Sequence, residues 1–184
     1  MKAREVLNLG CGRKHVDGAL NVDVTPLTNP DVVHDLNLRP WPFPDNHFRE
    51  VIASDVIEHL DDVMATLEEI HRVSRDGAIV HLTVPHFSSG NAYIDPTHKH
   101  FFSYSTLDCF TEGDAHSFYT NARFRYLHRQ IIFRPTLLNK IVWRIVKRRP
   151  EEYEQRWAWV FPAFFVNIEL EVVKARAKEN GRVA

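Results

Sequence analysis

The sequence predicts one α/β domain built on a mostly parallel sheet, and three observations carry that expectation. Short apolar runs at residues 6–9, 19–24 and 32–33 each meet Gly, Asp, Asn or Pro within a few residues, as strands ending in loops do. Residues 60–73 carry apolar side chains at helical spacing and lie between two further strand-like runs. A Gly10-Cys11-Gly12 turn follows the first strand, and an acid, Asp23, ends the second. With 184 residues the chain is long enough for one domain with a real core and short for two.

In order, residues 49–54 form the fourth strand. The helix at 60–73 shows Leu60, Val63, Met64, Leu67, Ile70 and Val73 on one face, with Asp61 and Asp62 suiting its first turn. Asp76-Gly77 breaks the chain, and residues 78–84 form a fifth strand stopped by Pro85. The strand-rich first half favours a parallel sheet with helices on its faces. Residues 86–103 are polar, aromatic and rich in His, too long for a simple turn, and read as a lid or binding loop. A short helix is expected at 105–110, a strand at 124–133, an amphipathic helix at 136–147 entered through Pro135, and a closing strand at 164–175. Residues 178–184 read as a frayed tail.

Charge and cysteine content exclude several classes. Twenty-three basic against 24 acidic residues leave a net charge of -1, so nothing draws the whole chain toward nucleic acid or an anionic membrane. The local run Lys147-Arg148-Arg149 reads as solvated helix surface. Cys11 and Cys109 are too few for a disulfide framework and lack metal-ligand spacing, which fits a reducing compartment. No stretch approaches the ~18 apolar residues of a membrane span, and the N-terminus enters a strand without an apolar signal segment. A cytoplasmic protein is expected.

The glycine turn and Asp23 form the strongest chemical signal. Glycine lets the backbone turn sharply and approach a ligand closely, and a carboxylate ending the next strand can accept hydrogen bonds from both hydroxyls of a ribose. A dinucleotide site would want a third glycine and an acid ~20 residues on. Here the third-glycine position is His15, and Asp23 follows Gly10 by only 13 residues, leaving little room for a helix and disfavouring a pyrophosphate cradle. S-adenosylmethionine, which has a ribose and no phosphate, suits this turn better.

The segments VLNLGCGRK, GALNVDV, VVHDLN and WPFPDNHFREVIASDVIEHLDD resemble the class I S-adenosylmethionine-dependent methyltransferases, especially the group called methyltransferase type 11. The likeness spans residues 4–85. It implies a Rossmann-like sheet of order 3-2-1-4-5-7-6 with an antiparallel last strand and, given the short link, a short first helix. By the same resemblance Gly10 and Gly12, with Cys11 between them, line the cofactor. Asp23, with Val24 beside it, holds the ribose, Asp35 and Leu36 meet the adenine edge, and Ser54 and Asp55 face the methionine part. Two positions depart from the family. Asn8 stands where an acid usually steadies the glycine loop, and Arg13 with a short link replaces the third glycine and long first helix, so Arg13 is a candidate for the cofactor's carboxylate. The single domain 1–184 thus divides into a cofactor-binding half (4–85), a substrate-side insert and strand (86–135), and a helical segment with the closing strand (136–177).

Methyl transfer needs an aligned acceptor and often a base, for which histidine titrates nearest neutrality. His86 leaves the fifth strand at the sheet's carboxyl edge, where ligands bind in open α/β sheets. The stretch DPTHKHFFSYSTL resembles the family's segment leading to the substrate, with His98 matching its histidine and Tyr104 nearby as a polar contact. Asp95, His98 and His100 have metal-ligand chemistry, though loop spacings of two and three permit an ion without requiring one; the reading counts on no metal. His59, beside Glu58, reads as structural or capping, and His71 and His81 receive no role. The expected function is methyl transfer to oxygen or nitrogen of a small metabolite or sugar-derived acceptor, without membrane or general nucleic-acid binding. A second copy of the chain could cover the cofactor in a homodimer. Two other readings stay open. One is a protein or nucleic-acid methyltransferase working with a partner, resting on the series Arg123, Arg125, Arg129 and Arg134 together with Lys147-Arg148-Arg149. The other is a non-catalytic cofactor-binding or scaffold subunit.

Overall fold

The computed structural model describes residues 4–174. Seven strands form one sheet: β1 (Val6–Leu9), β2 (Leu20–Asp23), β3 (Val32–Val33), β4 (Phe48–Ser54), β5 (Ser74–Pro85), β6 (Arg123–Ile132) and β7 (Phe165–Val173). Their order is β3-β2-β1-β4-β5-β7-β6, parallel from β3 to β5, with β7 antiparallel to both β5 and β6. This is the order the sequence led us to expect. The central strands bury their apolar side chains completely: Leu7, Val51, Val80, Val84 and Val166 are each 0% exposed. Each such burial contributes roughly 1.5–3 kcal/mol.

Helix α1 (Val63–Val73) starts at Val63 because Asp62 caps it, its side chain accepting from the Ala65 N–H at 2.9 Å. Leu67, Ile70 and Val73 face the sheet. The opposite edge of α1 anchors the WPFPD block. Glu69 accepts from the Trp41 N–H at 2.7 Å and from Arg72, which also donates to the Trp41 and Phe43 carbonyls and to Asp45. The buried Trp41 indole donates to the Leu36 carbonyl at 3.0 Å, so this block fixes the loop carrying Asp35 and Leu36.

The sequence-based expectations need five corrections. The short first helix does not form: residues 10–19 run as turns, held by Asn8 and Asn21. Strand β5 begins at Ser74 and passes through Asp76-Gly77, whose Gly77 φ of +74° makes an irregularity against β4 instead of a break. Leu60 precedes α1 in an extended conformation, after a 3-10 turn at Ile57–His59. Residues 105–110 contain only a 3-10 turn, Asp108–Phe110. Finally, besides the expected α3 (Leu137–Val146), a helix α4 (Pro150–Arg156) is present, and the insert holds the one-turn helix α2 (Asn91–Ile94). The tail at 178–184 and the last residue of the 164–175 run lie outside the described residues.

Candidate active site

The carboxyl ends of β1, β2 and β4 converge on the glycine turn. Gly10 and Gly12 have φ of +54° and +48°, left-handed values that an L side chain rarely adopts. A Cβ at Gly10 would lie 2.4 Å from Val56 Cγ2, whereas one at Gly12 would meet nothing within 4 Å. Asp23 ties this turn to β2. Its Oδ2 accepts from the Gly12 N–H at 2.7 Å and its Oδ1 from the Thr25 N–H at 3.0 Å. A carboxylate offers about four acceptor positions. Two are used, and the side chain lies in the wall of a cleft, so two remain for a ligand.

That cleft, about 350 Å³, is lined by Gly10, Asp23, Val24, Asp35, Leu36 and Asp55, all expected from the sequence, and by His34, Asn37, Val56, His59 and Leu60, which were not. Asn8, Cys11, Gly12, Arg13 and Ser54 are not in its wall. Asn8 is buried and donates to the Lys14 carbonyl (3.0 Å) and to Asn21 Oδ1 (2.8 Å). It steadies the link, and an ionised carboxylate there, which can only accept, could make neither bond. Cys11 is buried, its N–H on the Val22 carbonyl, and burial pushes its thiol up. Arg13 is exposed, whereas its neighbour Lys14 reaches Asp55 at 3.2 Å. Asp55 has a φ of +56°, with its N–H held by the Thr83 carbonyl.

The acceptor-side candidates separate. His86 is 0% exposed, with Nδ1 at 2.8 Å from Ser88 Oγ and Nε2 at 3.0 Å from Glu154 Oε1. It ties α4 to the end of β5 and has no free nitrogen to offer a substrate. Tyr104 lies under the Arg129 guanidinium (3.8 Å to its ring), its N–H on Glu154, and lines a separate cleft with Arg129 and Trp143. Asp95, His98 and His100 do not converge. Asp95 Oδ1 is taken by the Thr97 N–H (2.9 Å) and hydroxyl (2.6 Å), which hold its carboxyl below the usual range. His100 donates its N–H to the Glu58 carbonyl, and its Nε2 is buried without a hydrogen bond.

His98 instead meets His59, with ring centroids 4.6 Å apart and edge to face, and Glu58. Glu58 is 1% exposed and neither carboxylate oxygen makes a hydrogen bond. Burial pushes it up to about 7, only partly offset by nearby backbone N–H groups and aided by the Asp55 and Asp95 charges. Burial, and then His98, lower His59. His59 was read as structural, yet it stands in the cleft wall. The available signal was the Glu58-His59 pair shortly after β4, the strand whose carboxyl end borders the cleft.

A larger apolar cleft of about 460 Å³ lies between α3 and α4, lined by Val142, Val146, Tyr153, Trp157 and Phe161, with Arg149 and Glu152. It contains none of the residues of the glycine turn or the histidine pair.

Residues 7–82 match the family model described as "Methyltransferase domain". No curated protein sequence matches the chain. Among solved structures, a SAM-dependent methyltransferase from Archaeoglobus fulgidus superposes with a TM-score of 0.63 at 19% identity, over 92% of this chain and 86% of that one. A S-adenosylmethionine-dependent methyltransferase from Mesorhizobium loti gives 0.56 at 15%, over 91% and 90%. Phosphoethanolamine N-methyltransferase 2 from Haemonchus contortus, solved with S-adenosyl-L-methionine, gives 0.55 at 13%, over 92% of this chain and 48% of that one. At these identities the likeness establishes the fold.

Proposed function

We propose that the chain is a class I S-adenosylmethionine-dependent methyltransferase, a reading supported by the match of residues 7–82 to the methyltransferase-domain model and by the sheet order, and that it methylates oxygen or nitrogen of a small organic acceptor. The observation that carries the cofactor end is Asp23: a nearly buried carboxylate with spare acceptor positions, in the wall of a cleft whose floor is a glycine with no room for a Cβ. These residues fit S-adenosylmethionine. Asp23 would hold the ribose hydroxyls and the Asp35–Leu36 edge the adenine, while Gly10 and Asp55 would flank the methionine part. When bound, the cofactor supplies an electrophilic methyl group on a sulfonium.

On the acceptor side His98 is the base candidate that the structure brings next to the cleft wall. Its Nδ1 lies 3.1 Å from the Ala92 carbonyl, which can only accept, so Nδ1 carries a proton and the neutral ring keeps a lone pair on Nε2. That lone pair can take the proton of an acceptor hydroxyl or ammonium, a contribution of typically ~10²–10⁴-fold in rate. The insert also exposes Tyr93 stacked on Phe101 (centroids 4.9 Å apart), an aromatic wall for an organic acceptor.

The arginine series gives partial support to a nucleic-acid substrate: Arg125, Arg134 and the run Lys147-Arg148-Arg149 are exposed, whereas Arg123 and Arg129 are engaged internally. Arg123 donates to the Thr120, Ala122 and Ser117 carbonyls, Arg125 pairs with Glu171, and Arg129 pairs with Asp108 between the rings of Tyr104 and Tyr126. Transfer of a labelled methyl group to a panel of small alcohols, amines and sugar derivatives tests the acceptor class. Labelled small product is expected; label appearing only in added protein or RNA would overturn the small-acceptor reading.

A further inference from the structure

We propose that Glu58, His59 and His98 form a binding site for a first-row divalent cation of the zinc class, at the wall of the methyl-donor cleft. One ligand-type atom from each residue lies within 4.8 Å of the other two. Tetrahedral zinc with bonds of about 2.0–2.2 Å holds its ligands roughly 3.3 Å apart, so closure needs side-chain adjustments of about an ångström. Glu58 gives the reason to expect an occupant. A carboxylate 99% withdrawn from solvent whose oxygens make no hydrogen bond is costly unless it is neutralised or coordinates a metal.

The surroundings fix both rings in the ligating tautomer. Thr97 gives its one hydroxyl proton to Asp95 (2.6 Å), so Thr97 Oγ1 must accept from His59 Nδ1 (2.8 Å). His98 Nδ1 likewise donates to the Ala92 carbonyl. Each neutral ring is left with Nε2 as its lone-pair nitrogen. A histidine whose other N–H goes to a carboxylate, a carbonyl or a bridging hydroxyl is the usual outer arrangement of a metal site. Two imidazoles and a carboxylate suit zinc and its neighbours and not magnesium or calcium, which prefer oxygen. The sequence reading counted on no metal and offered Asp95 and His100 beside His98 only as residues of ligand chemistry; in the structure Asp95 acts one bond further out, orienting His59 through Thr97.

Three protein ligands leave one coordination position for water or an acceptor heteroatom. Because His59 belongs both to the cluster and to the cleft wall, an acceptor hydroxyl held there would be made more acidic by the cation and would lose its proton to solvent water, with His98 serving as a ligand and no longer as the base. This last role rests on the proposed methyl transfer; the cation site itself does not.

The test uses the full chain, freed of metal by chelator dialysis and titrated with Zn²⁺ by calorimetry, and with Co²⁺ followed by visible absorption. One equivalent is expected, with tetrahedral cobalt bands. Glu58→Gln and His98→Ala should each weaken binding at least ~10-fold, and Thr97→Ala, which removes the hydroxyl that links Asp95 to His59 but no ligand, by ~10–100-fold. Replacing the distant exposed His15 and His128 with Ala should change nothing. No stoichiometric binding by the wild type overturns the site, as does binding unaltered in both Glu58→Gln and His98→Ala. Circular dichroism confirms that each variant is folded, and if one is not, the others carry the comparison. S-adenosylhomocysteine is titrated into the same samples. A protein that takes this ligand but no zinc overturns the metal site alone; one that takes zinc but not this ligand overturns the methyl-transfer reading alone.

Discussion

Replacing Gly10 with Ala separates two glycines that look equivalent in the sequence. At Gly10 the new Cβ meets two penalties. The left-handed φ of +54° costs a Cβ-bearing residue about 1–2 kcal/mol. The contact at 2.4 Å with Val56 Cγ2, far inside the ~3.5–4.0 Å optimum, forces a shift of a buried β-branched side chain, about 1–3 kcal/mol more. The expected loss is thus roughly 2–5 kcal/mol. Gly12→Ala carries only the first penalty, about 1–2 kcal/mol, because nothing lies within 4 Å of its Cβ position. Urea unfolding followed by circular dichroism measures both. A Val56→Ala change in the Gly10→Ala background should show a favourable coupling of about 1 kcal/mol or more, since it removes the clashing methyls. A Gly12→Ala loss equal to or greater than that of Gly10→Ala, or no coupling with Val56, would refute the assignment of Gly10 as the close-approach position.

Asn8→Asp restores the acid usual in the family, yet should destabilise this chain by roughly 2–4 kcal/mol, because a buried carboxylate would face the Lys14 carbonyl and Asn21 Oδ1 in place of a donating amide; a stability equal to wild type in urea would contradict the donor role. His98→Ala should leave S-adenosylhomocysteine affinity within about threefold while lowering turnover by ~10²-fold or more, and unchanged turnover with a true acceptor would remove His98 from the chemistry. Asp31 is held down to about 2 by Arg4 first, and then by the Asn21 backbone N–H. Its folded value is below its unfolded one, so its stabilisation is complete above pH ~4 and is lost as pH falls through ~2. Asp31→Asn should flatten the pH dependence of stability in that window, and an unchanged acid limb would show that the pair contributes nothing.

The parallel core was legible because its strands are short apolar runs closed by Gly, Asp or Pro, and the cofactor end because a glycine turn and an acid stand a fixed distance apart. Helix α4 was hidden. Among residues 150–156 only Tyr153 is buried, so no periodic apolar face announces it. That omission misled the reading of His86, which the strand's carboxyl edge would expose had Glu154 of α4 not closed over it. Asp76-Gly77 was taken as a break because Asp-Gly is a turn signal, but β4 pairs with β5 on both sides of it, at Ser74 and again from Ile79. Glu58, His59 and His98 could not be joined from the sequence: about forty residues separate them, and they meet because the Lys99 and His100 N–H groups dock on the Glu58 carbonyl. The Asn8–Asn21 pair likewise shows only in three dimensions why a link of turns replaces a first helix.

The central claim is that Asp23 and the glycine turn hold S-adenosylmethionine, and calorimetric titration of the full chain with S-adenosylhomocysteine tests it most directly. Two charge-assisted hydrogen bonds to ribose hydroxyls at about 1.5–3 kcal/mol each correspond to a loss of ~10²–10⁴-fold in affinity on Asp23→Ala. Asp23→Asn, which keeps an acceptor for one backbone N–H, controls for collapse of the turn. One site per chain in the wild type, weakened at least ~100-fold by Asp23→Ala in a protein that still melts cooperatively, is the predicted result. No binding by the wild type, or binding indifferent to Asp23, would contradict it.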